Sequence, residues 1–218
     1  MSDAVLRALE RRWRESGELE DEVRWLQERM RLGLLGEGEV ELASALGHSA
    51  SRACAPRPRC PFRDKALLKV QPKRVSVALA LHVAELSFEV WDVLTDKPTG
   101  AVRLARAWLR EPDRTEARTG REVGVADQAQ CRSGGYSARV TEIGSALAEL
   151  GRAVWAPGGA SAGRYAHGVL FHAAQALSPP GAEQERAWNA LEPRVRAALG
   201  PKLLPWLVGA LSTEELLA

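Results

Sequence analysis

The chain has 218 residues, enough for one large domain or two small ones. Apolar residues make up 45% and charged residues 27%, which excludes a mostly disordered protein. Thirty basic residues against 28 acidic ones leave a net charge of +2, so the overall charge demands neither a nucleic acid nor a membrane as partner.

The helical period dominates from the first residues. Val5, Leu6, Leu9 and Trp13 repeat at helical spacing between Ser2-Asp3 and Gly17. Leu19, Val23, Leu26, Met30 and Leu34 mark a second helix, with acidic residues at its start and Arg29 and Arg31 at its end, as the helix dipole favours. A third helix is expected over about Glu39 to Leu46, and a short one over Ser49 to Cys54. Short helices joined by glycine turns stack antiparallel, so residues 1–54 read as a small helical module. Pro56, Pro58 and Pro61 forbid a helix in the next stretch, so residues 55–63 read as a Pro/Cys/Arg-rich linker to a larger bundle at 64–218.

The longest predicted helix runs from about Pro72 to Leu94 and is apolar nearly all round, the mark of a central buried helix. One stripe departs from that pattern: His82, Glu85, Glu89 and Asp92 step by three, four and three and share a face. After Thr95-Asp96-Lys97, where Asp96 is the expected cap, Pro98 to Arg110 forms the hairpin partner. Arg103, Arg106 and Arg110 form a basic stripe on it, so an ion-pair seam between the two helices is expected. A polar helix over about Arg114 to Gln130 has few large apolar residues, and Gly134-Gly135 reads as a turn. Helices over Ser137 to Trp155, over Ser161 to Leu177 and around Trp188 to Leu199 follow, the last kinked at Pro193. An apolar run, Leu203 to Leu211, and a capping box at Ser212-Thr213-Glu214-Glu215 close the pattern. No segment alternates as a strand would. The expected fold is all-α, an irregular bundle of antiparallel helical hairpins with about nine or ten helices.

Chemistry is sparse. His48, Cys54 and Cys60 are six apart, wider than the paired spacing of zinc sites, and three cysteines are too few for a disulfide scaffold. His82 and Glu85 have a chelating spacing but no second such pair, so no metal or cofactor is expected. His167 and His172 lie five apart and do not converge on one helix face. There is no nucleophile elbow and no P-loop, and no catalytic residue is assigned. From Arg52 to Arg74 eight basic residues meet one acidic residue, a stripe that could track phosphates, although Phe62 is its only aromatic. The seven tryptophans are spread along the chain and read as core anchors, and the excess of arginine over five lysines reflects a GC-rich genome. No apolar run reaches the roughly 18–20 residues of a membrane span. The Met1 to Arg7 opening lacks a signal-peptide pattern, so a cytoplasmic bacterial protein is expected.

Two stretches carry a resemblance. Leu9-Glu10-Arg11-Arg12-Trp13-Arg14-Glu15-Ser16-Gly17, with Leu42-Ala43-Ser44-Ala45-Leu46-Gly47-His48, resembles an N-terminal helical module of small uncharacterised myxobacterial proteins. Asp96-Lys97-Pro98 followed by Ala101-Val102-Arg103-Leu104-Ala105-Arg106-Ala107-Trp108 is similar to a helix pair in an all-helical immunity-protein family of bacterial polymorphic toxin systems, which usually carries two aspartates before the proline. The resemblance implies a non-enzymatic protein that binds and blocks a protein partner, a cognate toxin. The expected contact face is His82, Glu85, Glu89 and Asp92. The alternatives are a nucleic-acid accessory protein using residues 52–74 and a self-associating scaffold.

Overall fold

The computed structural model describes residues 2–55, 64–91, 96–133 and 137–218. Among these residues run twelve α-helices, nine of them seven residues or longer, and no strand. They are α1 Ser2–Ser16, α2 Leu19–Arg31, α3 Glu37–Ala45, α4 Ser49–Cys54, α5 Lys65–Lys69, α6 Lys73–Ser87, α7 Gly100–Arg110, α8 Gly120–Ser133, α9 Ala138–Trp155, α10 Gly159–Leu177, α11 Gln184–Leu207 and α12 Thr213–Leu217. No helix among the described residues is long and apolar enough to cross a membrane.

The centre is α6. From Val75 to Ala84 only His82 is not buried, and α7, α9, α10 and α11 pack around the helix. A helix with no polar side has to be wrapped in this way. It stops at Ser87, short of Leu94. The Ser87 hydroxyl donates back to the Ala84 carbonyl at 2.6 Å, and Phe88–Val90 tighten into a 3-10 turn. Residues 92–95 lie outside the described set.

The C-terminal apolar run belongs to α11, which is continuous through Pro193, Pro201 and Pro205. Trp188, Leu191, Val195, Leu199, Leu203 and Trp206 form its buried face, while Pro193 and Pro201 sit on the exposed side. Gly209, at φ +78°, ends the helix.

Leu6, Trp25, Leu26, Leu35, Val40, Ala43 and Ala50 form a second apolar cluster under α1 to α4, with Trp13 stacked on Trp25 at 4.6 Å. Leu204 of α11 completes that cluster, and Leu42 and Leu46 of α3 reach into the main one. Residues 56–63, most of the expected linker, lie outside the described set.

The sparse apolar content of α8 has a packing reason. Gly120 and Gly124, one turn apart, lie against Gly151, Leu147 and Ala148 of α9. A Cβ on Gly120 would sit 2.5 Å from the Gly151 carbonyl oxygen, and one on Gly124 would sit 2.9 Å from that of Leu147. The helices meet backbone to backbone, so small residues replace large ones at the contact.

The start of α7 is capped across space rather than by Asp96. Asp127 of α8 accepts the Ala101 amide at 2.7 Å and the Gly100 amide as well. Burial of Asp127 raises its carboxyl above the ordinary value, against the lowering pull of those two amides and of Arg103.

Two stability predictions follow from these contacts. Gly151→Ala forces a methyl into the Gly120 backbone, where no rotamer change relieves it, and should cost about 2–3 kcal/mol. Thermal melts by circular dichroism should show a drop of roughly 5–10 °C for a chain of this size; an unchanged midpoint would mean the helices do not cross at these glycines. Asp127→Ala should cost about 1–2 kcal/mol through the lost cap. Asp127→Asn, which keeps an acceptor, should recover most of it.

A candidate partner-binding cleft

His82 and Glu85 project from α6, and Glu89 from the 3-10 turn after it. They line one cleft of about 450 Å³ with Leu86, Arg106, Ala197, Ala198, Lys202 and Leu217. The helical spacing read from the sequence thus places three of the four stripe residues together. Asp92 lies outside the described residues.

The carboxylates are paired, each with a different helix. Arg106 of α7 donates to Glu85 through Nε at 2.8 Å and Nη2 at 2.7 Å. Glu89 pairs with Arg194 of α11. Among the described residues, the expected seam between the acidic and basic stripes therefore holds at Arg106. Arg110 turns instead to Glu214 of α12, in a two-pronged pair at 2.6 and 2.9 Å. That bond holds the Glu214 carboxyl below its ordinary value and raises Arg110. Arg103 acts on the buried Asp127. One hairpin could not satisfy the whole stripe, because α11 and α12 also pack onto these helices.

His82 is half-buried with both ring nitrogens facing carbonyl oxygens: Nδ1 is 2.9 Å from Ala78 O, and Nε2 is 2.9 Å from Leu216 O. Only a ring protonated on both nitrogens donates to both. Arg106 Nη1 donates to Leu217 O at 2.9 Å. Leu216 and Leu217 hold the last carbonyls of α12, which have no acceptor role left within their own helix. His82 and Arg106 supply the missing donors. Spacing within α6 could not show this, because the partners are 134 and 111 residues away.

The other sequence candidates scatter. His48 caps α4: its Nδ1 accepts the Ser51 amide at 3.2 Å, lies 3.1 Å from Ser51 Oγ, and its Nε2 is 3.5 Å from Glu22. The order Ser–His–Glu imitates a hydrolytic relay, but Ser51 is fully buried. Cys54 is half-buried, with its thiol pushed up by burial and by Glu22. Cys60 lies outside the described set, and among the described residues no three His, Cys, Asp or Glu side chains are grouped to hold a metal. His167 packs beside Trp188, whereas His172 pairs with Glu142 at 2.7 Å, so the two rings serve different contacts.

Of the basic segment, Lys73 lies over the Trp108 ring at 4.6 Å and Arg74 over Trp206 at 4.7 Å. Both cations work within the fold. Lys65 and Lys69 face solvent, and Arg57, Arg59 and Arg63 lie outside the described residues.

Comparison with family models, with curated proteins and with solved structures returns no match to this chain. The all-α class and the cleft rest on the chain's own structure.

The half-buried His48 gives a pH prediction. Burial lowers its imidazole below the ordinary value, so the unfolded chain binds that proton more readily. Its contribution to stability is present above the ordinary histidine range and is lost as pH falls through it. Burial raises Glu22, whose contribution changes with the opposite sign. His48→Asn keeps a capping acceptor and leaves Glu22 in place. Its melting temperature should fall less than that of the parent chain between about pH 7.5 and 5.5. Equal slopes would remove His48 as a source of acid sensitivity, leaving His167, which burial also lowers.

Proposed function

We propose that the chain works by holding a protein partner against the cleft beside His82, Glu85 and Glu89, as an immunity or adaptor protein would. The composition of the cleft carries this reading. Leu86, Ala197, Ala198 and Leu217 give it apolar surface, and two carboxylates stand among them at partial exposure. The Glu85 side chain is 27% exposed and that of Glu89 is 50% exposed, each tied to an arginine from another helix. Ion pairs at such exposure are worth about 0–1 kcal/mol, so a partner's guanidinium can take the place of Arg194 on Glu89 at little cost to the fold. Apolar surface with exchangeable charges suits recognition, and blocking a partner needs no further chemistry. A stable complex buries about 800 Å² on each side, so the cleft would be the centre of a larger patch.

The tagged chain, purified from its native host, should co-elute with one stoichiometric protein. If that protein is toxic when expressed alone, co-expression should rescue growth. Glu89→Arg, which presents a like charge to the partner's cation, should weaken the complex about tenfold or more. An eluate holding only this chain would overturn the proposal. Nucleic acid released by moderate salt would move the site to Lys65 and Lys69.

A further inference from the structure

The strongest unexplained feature is how α12 is held. The segment is a self-contained unit. Gly209, at φ +78°, closes α11, and a short connection, in which Gly209 and Ala210 are exposed and Leu211 packs on the main core, leads to Ser212. Ser212 and Glu215 then form a capping box that starts α12 without outside help.

Among the described residues, the polar ties between α12 and the other helices run in one direction. Arg74 donates to Thr213 Oγ1 at 2.7 Å, and Trp206 Nε1 donates to the same oxygen at 3.3 Å. Arg110 grips both oxygens of Glu214. His82 and Arg106 take the carbonyls of Leu216 and Leu217. The groove supplies donors and α12 supplies acceptors. Between these ties Leu216 and Leu217 are buried in the main core. Leu217, His82 and Arg106 also line the cleft beside Glu85, so the space α12 occupies is continuous with that cleft.

We propose that the groove formed by α6, α7 and α11 is a receptor for acidic, leucine-bearing helical segments, that α12 is its resident ligand, and that a partner segment of the same chemistry displaces it. The inference rests on the reading that the chain acts by binding a protein, and it names the partner's chemistry. The partner presents a carboxylate to Arg110, two adjacent apolar side chains to the leucine sockets, and terminal carbonyls to His82 and Arg106. α12 then acts as an autoinhibitory contact, because the groove opens only when it leaves. A groove filled by its own segment binds an added ligand with an apparent Kd raised by the inverse of its open fraction.

The test uses the full chain and a fluorescent peptide with the sequence of residues 210–218, carboxy-terminally amidated, followed by anisotropy. Leu216→Asp should expel α12 and tighten peptide binding about tenfold or more over the parent chain. Glu214→Arg sets two cations together and should tighten it about threefold, as befits an exposed pair; it decides the question if Leu216→Asp does not fold. Adding Arg110→Glu to the Leu216→Asp chain should reduce that gain, and a Glu214→Arg peptide should restore it. Opened chains that fold yet bind no better than the parent would overturn the proposal, as would binding indifferent to the charge at position 110. A native partner captured equally by the parent chain and by Arg110→Glu would overturn this inference and leave the binding reading standing. Peptide binding in a chain that captures no partner would do the reverse.

Discussion

The structure depends on one constraint: a helix with almost no polar side must be covered from every direction. Residues 75–84 of α6 carry a single residue that is not buried, and α7, α9, α10 and α11 supply the cover. Burial of a Val or Leu side chain contributes roughly 1.5–3 kcal/mol, so the wrapped helix is a large share of the driving force for folding. The surrounding helices differ in how they meet their neighbours. α11 approaches with bulky Trp and Leu side chains and tolerates three prolines. α8 meets α9 through glycine, backbone against backbone.

The same constraint determines where polar groups can go. His82 and Glu85 occupy the one edge of α6 that is not sealed by another apolar face. Around that edge gather Arg106, Arg194 and the end of α12. The acidic face is therefore neither a bare docking patch nor a seam between two helices. It is a junction of four elements, with its charges compensated within the chain. Compensation at partly exposed sites is weak, and on the proposed function a partner would offer its own arginine or carboxylate there.

Much of this was legible in the sequence because it is local. The periods of α1, α2, α6, α9 and α10 and the capping box at Ser212 depend on neighbours within one or two turns. The shared face of His82 and Glu85 followed from their spacing, and Glu89 joins them from the 3-10 turn after α6. What was not legible is set by distant residues. Asp127 caps α7 from 26 residues away, so the nearer Asp96 was the natural but wrong choice. The pairing of Arg110 with Glu214 spans 104 residues, and no pattern within the hairpin of α6 and α7 could place it. The glycine contact had a signal, Gly120 and Gly124 one turn apart, but the polar residues around them hid it. The short α5 and the early end of α6 are boundary effects, where a single hydroxyl or turn outweighs the period.

Stability should be graded outward from α6, with α12 the first element to leave. Amide hydrogen exchange over the whole chain measures this most directly. Amides of α6 should exchange last, together with those of α9 and α10, through global unfolding, and amides of α12 should exchange well before them. Protection of α12 equal to that of α6 would contradict it, because the segment would then be part of the cooperative core and not a contact that opens by itself.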